Sequence, residues 1–340
     1  GGKAFEVVIP LFKNEWKPAD LILYEYDFEP GKSFQYTGVY DIVQGVDRLK
    51  HLVIYTASVL VDAEIKVIKT QGDIIQDLSF DKMEGKGFFT KEIEEALLNK
   101  EIDIAVHSAK DLPPILPKGI AIIATLPRQD PRDTLVNRWD VSIENLPAKA
   151  CIGTSSIRRS AQLLSIRSDL QISPIRGNIG TRIDKIHNNE YDGIILAAAG
   201  LIRTGQQSNI AQYLPIDKFT PDPGQGVLAI QARETDTRTI EILSAIDHLP
   251  TTTALKAERA FMETLGANCK TPLAAYARQK GDSLQILTMA ILPDGTKFYT
   301  TNSTYDPNLP VVAGKQSACD LLATGASKII NFTNTIADIK

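Results

Sequence analysis

Short apolar runs rich in β-branched residues alternate with helical patterns along much of the chain. The runs predict strands at residues 64–69, 102–106, 120–124, 150–152 and 193–196. Mostly apolar strands separated by helices are typical of parallel sheets that are covered on both faces. We therefore expect an α/β architecture.

Apolar residues at helical spacing predict helices over residues 90–99, 155–164 and 252–265, with Thr90 as an N-cap of the first. The pattern changes near the carboxyl terminus. Two strand-like runs, the first at 284–292, flank a Pro-Asp-Gly turn and precede a helix near 314–324. That arrangement predicts a small α+β unit.

Turn-rich segments divide the chain. The sequence Thr-Pro-Asp-Pro-Gly-Gln-Gly at 220–226 is one, and residues 247–250 form another. With 340 residues and 43% hydrophobic content, the chain can fill two or three domains of about 100–200 residues each. We expect domain changes near residues 128, 221 and 248.

The charge pattern argues against a nucleic-acid partner, because 37 basic and 41 acidic residues are spread along the chain without a basic block. No apolar run approaches the roughly 20 residues that span a bilayer, and residues 1–5 lack the apolar core of a signal peptide. We expect a cytoplasmic protein with no membrane partner. Three cysteines without a Cys-x-x-Cys pair, and four scattered histidines, predict neither a disulfide framework nor a metal site.

Polar residues follow the predicted strand at 102–106 directly, in the sequence His-Ser-Ala-Lys-Asp-Leu-Pro. Strand ends line the ligand crevice of open α/β sheets. Asp111 is placed to hold N–H groups and stabilise a developing cation, and Lys110 is placed to bind a substrate carboxylate. An ordinary solvated loop is the alternative, and position alone leaves both open.

A second polar segment, Gly-Thr-Ser-Ser-Ile-Arg-Arg at 153–159, joins a strand end to a helix start. Free backbone N–H groups, hydroxyls and two arginines predict an anion site. The alternative makes Ser155 a helix cap and Arg158 and Arg159 a surface pair. Arg176, Arg182 and Arg203 follow, and five cations on one side of a cleft predict a ligand with several carboxylates or phosphates.

Cys269 lies in a small-residue loop, and the neighbouring Lys270 favours its thiolate form. A buried spectator cysteine is the common alternative, and a Cys-His nucleophile has no histidine motif to support it. The run Gly224-x-Gly226-x-x-Ala229 matches a dinucleotide fingerprint. It follows Pro-Asp-Pro rather than a strand, so we reject that interpretation.

Taken together, these segments resemble the hydroxymethylbilane synthase (porphobilinogen deaminase) family over residues 64–340. The resemblance rests on AVHSAKDLP, GTSSIRRSAQL, IRGNIGTR, YDGIILAAAGLIR, PGQG and AERAFMETLGANCKTPLAAYA, in that order. It implies two domains like periplasmic binding proteins with a crossed-over chain, plus a small α+β C-terminal domain. It implies an enzyme that adds four porphobilinogen units to a dipyrromethane primer, releases ammonia, and frees the linear tetrapyrrole by hydrolysis.

The resemblance also implies roles for individual residues. It makes Asp111 the catalytic carboxylate and Cys269 the residue that carries the dipyrromethane cofactor covalently. Further cofactor contacts are implied for Ser108, Lys110, Thr154, Ser156, Arg158, Arg159, Arg182, Gly200 and Gln225. Contacts with the substrate or growing chain are implied for Arg176, Arg203, Lys86 and Phe89.

The implied domains are 1–127 with 221–247, then 128–220, then 248–340. We expect a monomer that binds porphobilinogen and passes its product to a uroporphyrinogen III synthase. Residues 1–63 depart from the pattern, because the G-T-R-x-S motif that opens family members is not recognisable there. Leu52–Ser58 is a faint echo of that motif, with Ala57 where the arginine should stand.

Two other functions remain open on the sequence. One is a non-catalytic, hinged binding protein that clamps a polycarboxylate, although such a protein needs neither Asp111 nor Cys269. The other is a catalytically impaired relative, which would attach the cofactor without efficient turnover.

Overall fold

The computed structural model describes residues 51–55, 60–64, 68, 90–266 and 271–330. An antiparallel hairpin comes first, formed by β1 (His51–Tyr55) and β2 (Leu60–Glu64). The predicted strand at 64–69 is wrong at Ile68, which lies outside any strand, and its other residues beyond Glu64 are not among those described.

The remaining elements mix helices and strands along the chain. In the chain they are α1 (Lys91–Leu98), β3 (Ile104–Ser108), β4 (Ile120–Thr125), β5 (Asp133–Asn137), β6 (Cys151–Gly153), α2 (Ile157–Ile166), β7 (Gln171–Ser173), α3 (Ile179–His187), β8 (Gly193–Ala197), α4 (Ala198–Arg203), β9 (Gln212–Tyr213), β10 (Leu228–Arg233), α5 (Thr237–Ser244), α6 (Leu249–Thr264), β11 (Leu273–Lys280), β12 (Ser283–Ile291), β13 (Phe298–Tyr305) and α7 (Pro310–Leu321).

The first sheet contains a strand that returns from far along the chain. Its order is β3-β10-β4, and β10 is antiparallel to both neighbours. The prediction of a parallel sheet is therefore wrong here, because the returning chain enters between two strands that run the other way. Arg233, the last residue of β10, donates to Leu97 O at 3.0 Å and Ile102 O at 2.5 Å, and so satisfies carbonyls at the end of α1.

The second sheet has the order β7-β6-β8-β5-β9 and is mixed. Only β6 is parallel to its neighbours, β7 and β8, whereas β5 pairs antiparallel with β8 and β9. Leu135, Ile152 and Ile195 are fully buried in one hydrophobic cluster, which explains the apolar residues at the centres of β5, β6 and β8.

The third sheet is an antiparallel meander of β11, β12 and β13, with α6 and α7 packed against it. Its core includes the fully buried Phe261 and Ala318. The predicted α+β unit is confirmed. Its last helix begins at Pro310 rather than near residue 314, since proline is well suited to a first helical turn.

The helix predictions agree with the structure in type and differ at their ends. Thr90 occupies the N-cap position of α1, but its side chain makes no capping hydrogen bond. Ser156, and not Ser155, caps α2 by accepting a hydrogen bond from Arg159 N. Helix α6 begins at Leu249, three residues before the predicted start at 252, again with a proline in its first turn.

The chain crosses between the first two sheets twice, at residues 126–132 and 214–227. The two crossover segments are bonded to each other, because Gln129 N donates to Gly226 O at 3.0 Å and Arg128 Nε donates to Gln225 O at 2.8 Å. Both glycines of the rejected dinucleotide match lie in the second crossover, ahead of a strand, so no strand–turn–helix unit is present there.

A carboxylate from α6 holds both crossover segments. Glu258 of α6 is fully buried and accepts hydrogen bonds from Arg128 Nη1 at 2.6 Å and from Gly224 N at 2.6 Å. It also accepts from Ala277 N of β11 at 2.7 Å. One side chain therefore links the third sheet to both connections between the other two.

Replacing Glu258 should destabilise the whole molecule. In Glu258→Gln the guanidinium of Arg128 loses its buried counter-charge, and breaking such a pair costs roughly 3–5 kcal/mol. We expect urea unfolding to show a loss of about that size. Glu263→Gln, an exposed glutamate on the same helix, should change the unfolding free energy by less than about 0.5 kcal/mol. Equal stability of the two variants would contradict the linking role of Glu258.

Candidate active site

The first part of the site is the end of β3. The strand stops at Ser108 and a single 3₁₀ turn, Ala109–Asp111, follows, tied back by a 2.9 Å hydrogen bond from Ala109 N to Val227 O. Ser108 and Lys110 are half-buried, and Asp111 is exposed. The turn therefore presents the predicted carboxylate at a strand end, as the sequence indicated.

His107, the residue before Ser108 in β3, lies on the face of the strand opposite to Ser108 and is buried. Burial lowers the pKa of His107 to about 4, against a smaller opposing effect from the side chain of Gln231. The ring is therefore neutral at pH 7, and it belongs to the packing beneath the turn rather than to the site.

Lys110 lies close to charges from both sheets. Burial lowers the pKa of its ammonium and so does Arg159, while Asp111, Asp222 and Asp133 act in the opposite direction. An approaching carboxylate would add to the charges that favour the ammonium form.

The second part of the site is the start of α2. Thr154 Oγ1 accepts a 3.2 Å hydrogen bond from Ser156 N, and Ser155 Oγ donates to Ile175 O at 2.8 Å. Ser155 thus ties the loop after β6 to the segment after β7. The ten-residue helix α2 begins at the site, and the N–H groups of its first turn favour an anion there.

Arg158 and Arg159 share a carboxylate that the sequence analysis missed. Asp133, the fully buried first residue of β5, lies 2.8 Å from Arg158 Nη1 and 2.7 Å from Arg159 Nη2. Burial alone would raise the pKa of Asp133, but the two guanidinium groups outweigh it and lower the pKa to about 2. The carboxylate is therefore ionised at neutral pH and cancels one of the two positive charges.

This pairing corrects the expectation of five mutually repelling cations, since two of the five have an internal counter-ion. One donor group of Arg158 is nevertheless not used in this pairing. Its Nε is buried and has no hydrogen-bond partner within the described part of the chain. A buried donor without a partner is costly, and a ligand oxygen would satisfy it.

Gln225 supports the same pair from the second crossover. It is fully buried, donates to Asp133 Oδ1 at 3.0 Å and Pro131 O at 2.7 Å, and accepts from Arg159 Nη2 at 3.3 Å. A residue from one crossover segment thus orients a carboxylate and a guanidinium of the second sheet.

The other predicted arginines lie around this centre. Arg182 Nε donates to Gly177 O at 2.6 Å, and Gly177 has φ +111°, a conformation that glycine adopts easily. Burial lowers the pKa of Arg182 and Arg159 lowers it further, whereas Asp111 raises it. Asp111 of the first sheet and Arg182 of the second are therefore close enough to interact.

Arg176 and Arg203 are half-buried at the ends of β7 and α4. Arg203 Nη2 donates to Gly226 O at 2.9 Å, so this arginine also contacts the second crossover. Gly200 packs against α3, since a Cβ there would lie 2.7 Å from Ile179 Cδ1.

The structure thus brings together charged groups from two sheets, namely Lys110, Asp111, Asp133, Arg158, Arg159, Arg182 and Asp222. Cys269, Lys86 and Phe89 lie outside the described residues. Among the described helices, none is long and apolar enough to cross a membrane. Over the same residues, no group of three or more potential ligands is placed to hold a metal ion.

Comparisons with known proteins identify this arrangement. Residues 44–241 match the family model of the porphobilinogen deaminase dipyrromethane cofactor-binding domain, and residues 252–323 match that of the porphobilinogen deaminase C-terminal domain. A porphobilinogen deaminase from Syntrophomonas wolfei is 45% identical over 78% of this chain and 87% of its own length. One from Geobacillus kaustophilus is 44% identical over 78% of this chain and 86% of its own.

Among solved structures, the periplasmic sulfonate-binding protein SsuA from Methylobacillus flagellatus is 18% identical. The match covers 47% of this chain and 50% of that one, with a TM-score of 0.30. The matches to the two family models together span most of the sequence, and the relatives match it at well over 40% identity. The chain belongs to the porphobilinogen deaminase family.

Proposed function

We propose that Asp111 and Cys269 carry the two central roles in the reaction of this enzyme. As a hydroxymethylbilane synthase, the chain is a transferase that condenses four porphobilinogen units onto a dipyrromethane primer with release of ammonia. The observation that supports the assignment is the electrostatic interaction of Asp111 with Lys110 beside it and with Arg182 of α3.

The described residues fit a cofactor that carries several carboxylates. The start of α2 offers N–H groups and the hydroxyl of Ser156, and the buried Nε of Arg158 makes no hydrogen bond in the described chain, with Asp222 Oδ1 3.9 Å away. We assign the cofactor's acetate and propionate groups to Ser108, Lys110, Thr154, Ser156, Arg158, Arg159 and Arg182, with Gly200 and Gln225 beside them. When bound, the cofactor supplies the pyrrole position to which the first substrate unit is joined.

Asp111 acts on the substrate. Loss of ammonia from porphobilinogen leaves a cation, and a carboxylate aimed at the pyrrole N–H stabilises that charge as it develops. Lys110 and Arg182, which both interact electrostatically with Asp111, bind carboxylates, so the ring is oriented while its nitrogen faces Asp111. Arg176 and Arg203, with Lys86 and Phe89, receive the incoming unit or the growing chain.

The domain assignment and the cellular setting are part of the same proposal. Residues 1–127 with 221–247 form the first domain, 128–220 the second and 248–340 the third, a division that follows the membership of the three sheets. We further propose that the protein acts as a cytoplasmic monomer and hands its product to a uroporphyrinogen III synthase.

The attachment of the cofactor can be tested by intact mass under denaturing conditions. Wild-type protein should carry a covalent adduct of two pyrrole units, and Cys269→Ser should lack it because the thioether cannot form. Cys319→Ser replaces an exposed cysteine of α7 and should keep the adduct. An adduct that survives in Cys269→Ser would contradict the assignment.

Removing the carboxylate at the strand end should abolish most turnover. We expect Asp111→Ala to lower kcat for ammonia release by at least about 10²–10³, the usual cost of losing one electrostatic stabiliser. Asp111→Asn, which keeps the shape and removes the charge, should be nearly as slow. Thermal unfolding should be unchanged within a few degrees, since Asp111 is exposed. Normal turnover in either folded variant would rule out the role of Asp111.

A further inference from the structure

One face of α6 contacts the chain on both sides of Asp111. Leu255, Glu258 and Arg259 are spaced i, i+3 and i+4, so their side chains project from the same side of the helix. Glu258 holds the second crossover, as described above. The other two side chains contact the residues that follow Asp111.

Arg259 binds the backbone immediately after the turn. Its Nη2 donates to Pro113 O at 2.7 Å and to Pro114 O at 2.8 Å. Two consecutive prolines have no N–H groups, so carbonyl oxygens are the only backbone hydrogen-bonding groups that this stretch offers. Arg259 donates hydrogen bonds from one nitrogen to both carbonyl oxygens. It thereby fixes the direction in which the chain leaves Asp111.

Leu112 adds a packing contact on the same side. It is buried in a cluster with Leu255 of α6, together with Ala109, Val227 and Ala229. The residue between Asp111 and the two prolines is therefore also held by the helix.

The opposite side of the turn rests on the second crossover. Gly224 has φ +77°, and a Cβ there would lie 2.9 Å from Lys110 N, so its backbone is in close contact with the turn. Gly224 N is in turn bonded to Glu258, the neighbour of Arg259 in sequence. The turn that carries Asp111 is thus held before and after the carboxylate by adjacent residues of one helix.

We propose that Arg259 is a positioning residue for Asp111, which it serves by fixing the backbone at Pro113 and Pro114. The proposal rests on the function proposed for Asp111. It adds that the third domain supplies part of the geometry of the catalytic carboxylate.

Helix α6 also lies close in sequence to the proposed attachment point of the growing chain. The helix ends at Thr264, five residues before Cys269. The element that leads to the attachment point of the growing chain is therefore also the element that fixes the carboxylate at which each unit reacts.

The expected kinetic signature is a loss in kcat with little change in KM. The arginines assigned to the substrate, Arg176 and Arg203, lie after β7 and at the end of α4, whereas the hydrogen bonds of Arg259 go to Pro113 and Pro114. A displacement of about 1 Å in a catalytic group can lower the rate about 10²-fold. Arg259→Met, which keeps the apolar stem and removes the donors, should lower kcat by about 10- to 100-fold and leave KM within about twofold.

Two further variants make the result specific. Arg259→Lys should recover part of the lost rate, because an ammonium group can donate to both carbonyls. Lys256→Met removes an exposed cation from the same groove, which is lined also by Pro114 and Arg259, and should leave kcat unchanged. If Arg259→Met folds poorly, Arg259→Lys alone still tests the proposal, with an expected kcat below that of wild type and a KM within about twofold.

A double-mutant cycle with Asp111→Glu separates positioning from general stability. If Arg259 acts through the placement of Asp111, Asp111→Glu should lower kcat much less in the Arg259→Met background than in wild type, because the carboxylate is already displaced there. Multiplicative losses, an unchanged kcat in folded Arg259→Met, or an effect on KM alone would each overturn the proposal.

The outcomes also distinguish this inference from the function on which it rests. An active wild type with an unaffected Arg259→Met contradicts the positioning role alone. A wild type that releases no ammonia, or a fully active Asp111→Asn, contradicts the proposed function and the positioning role with it.

Discussion

The buried contact between Glu258 and the two crossover segments is the constraint on which the rest of the structure depends. The site is assembled from two sheets, and the chain passes between them twice, so its geometry is set by how those passages are fixed. Glu258 bonds to a side chain of one passage and to the backbone of the other. Because the carboxylate is fully buried and has several partners, it defines one arrangement where a hinge would otherwise allow many.

The charge of the site depends on a second buried carboxylate. Asp133 lies between Arg158 and Arg159, and Gln225 of the second crossover orients the group. A buried counter-ion allows two guanidinium groups to lie side by side without a ligand. It also lowers the net positive charge of the site by one unit. Lys110, Arg176, Arg182 and Arg203 remain around this centre, so the site still suits a chain of carboxylate-bearing rings that lengthens with each turnover.

Features that depend on local chemistry could be predicted from the sequence. The apolar runs that stop at polar residues predicted strands at 102–106 and 150–152, and the structure has both strands, ending slightly later at Ser108 and Gly153. Local patterns do not show which strands become neighbours. The insertion of β10 between β3 and β4 depends on a chain return of about a hundred residues, and so the parallel sheet was predicted wrongly.

The missed functional residues have a similar cause. Asp133 begins a strand that was not predicted, and its partners lie 25 and 26 residues further on. Glu258 and Arg259 look like ordinary polar positions of a helix, since the partners that matter, Arg128, Gly224, Pro113 and Pro114, are distant in sequence. The most direct test of the whole account is to incubate purified protein with porphobilinogen and measure both ammonia and linear tetrapyrrole. The account predicts four molecules of ammonia for each tetrapyrrole released, whereas bound porphobilinogen without ammonia would contradict it.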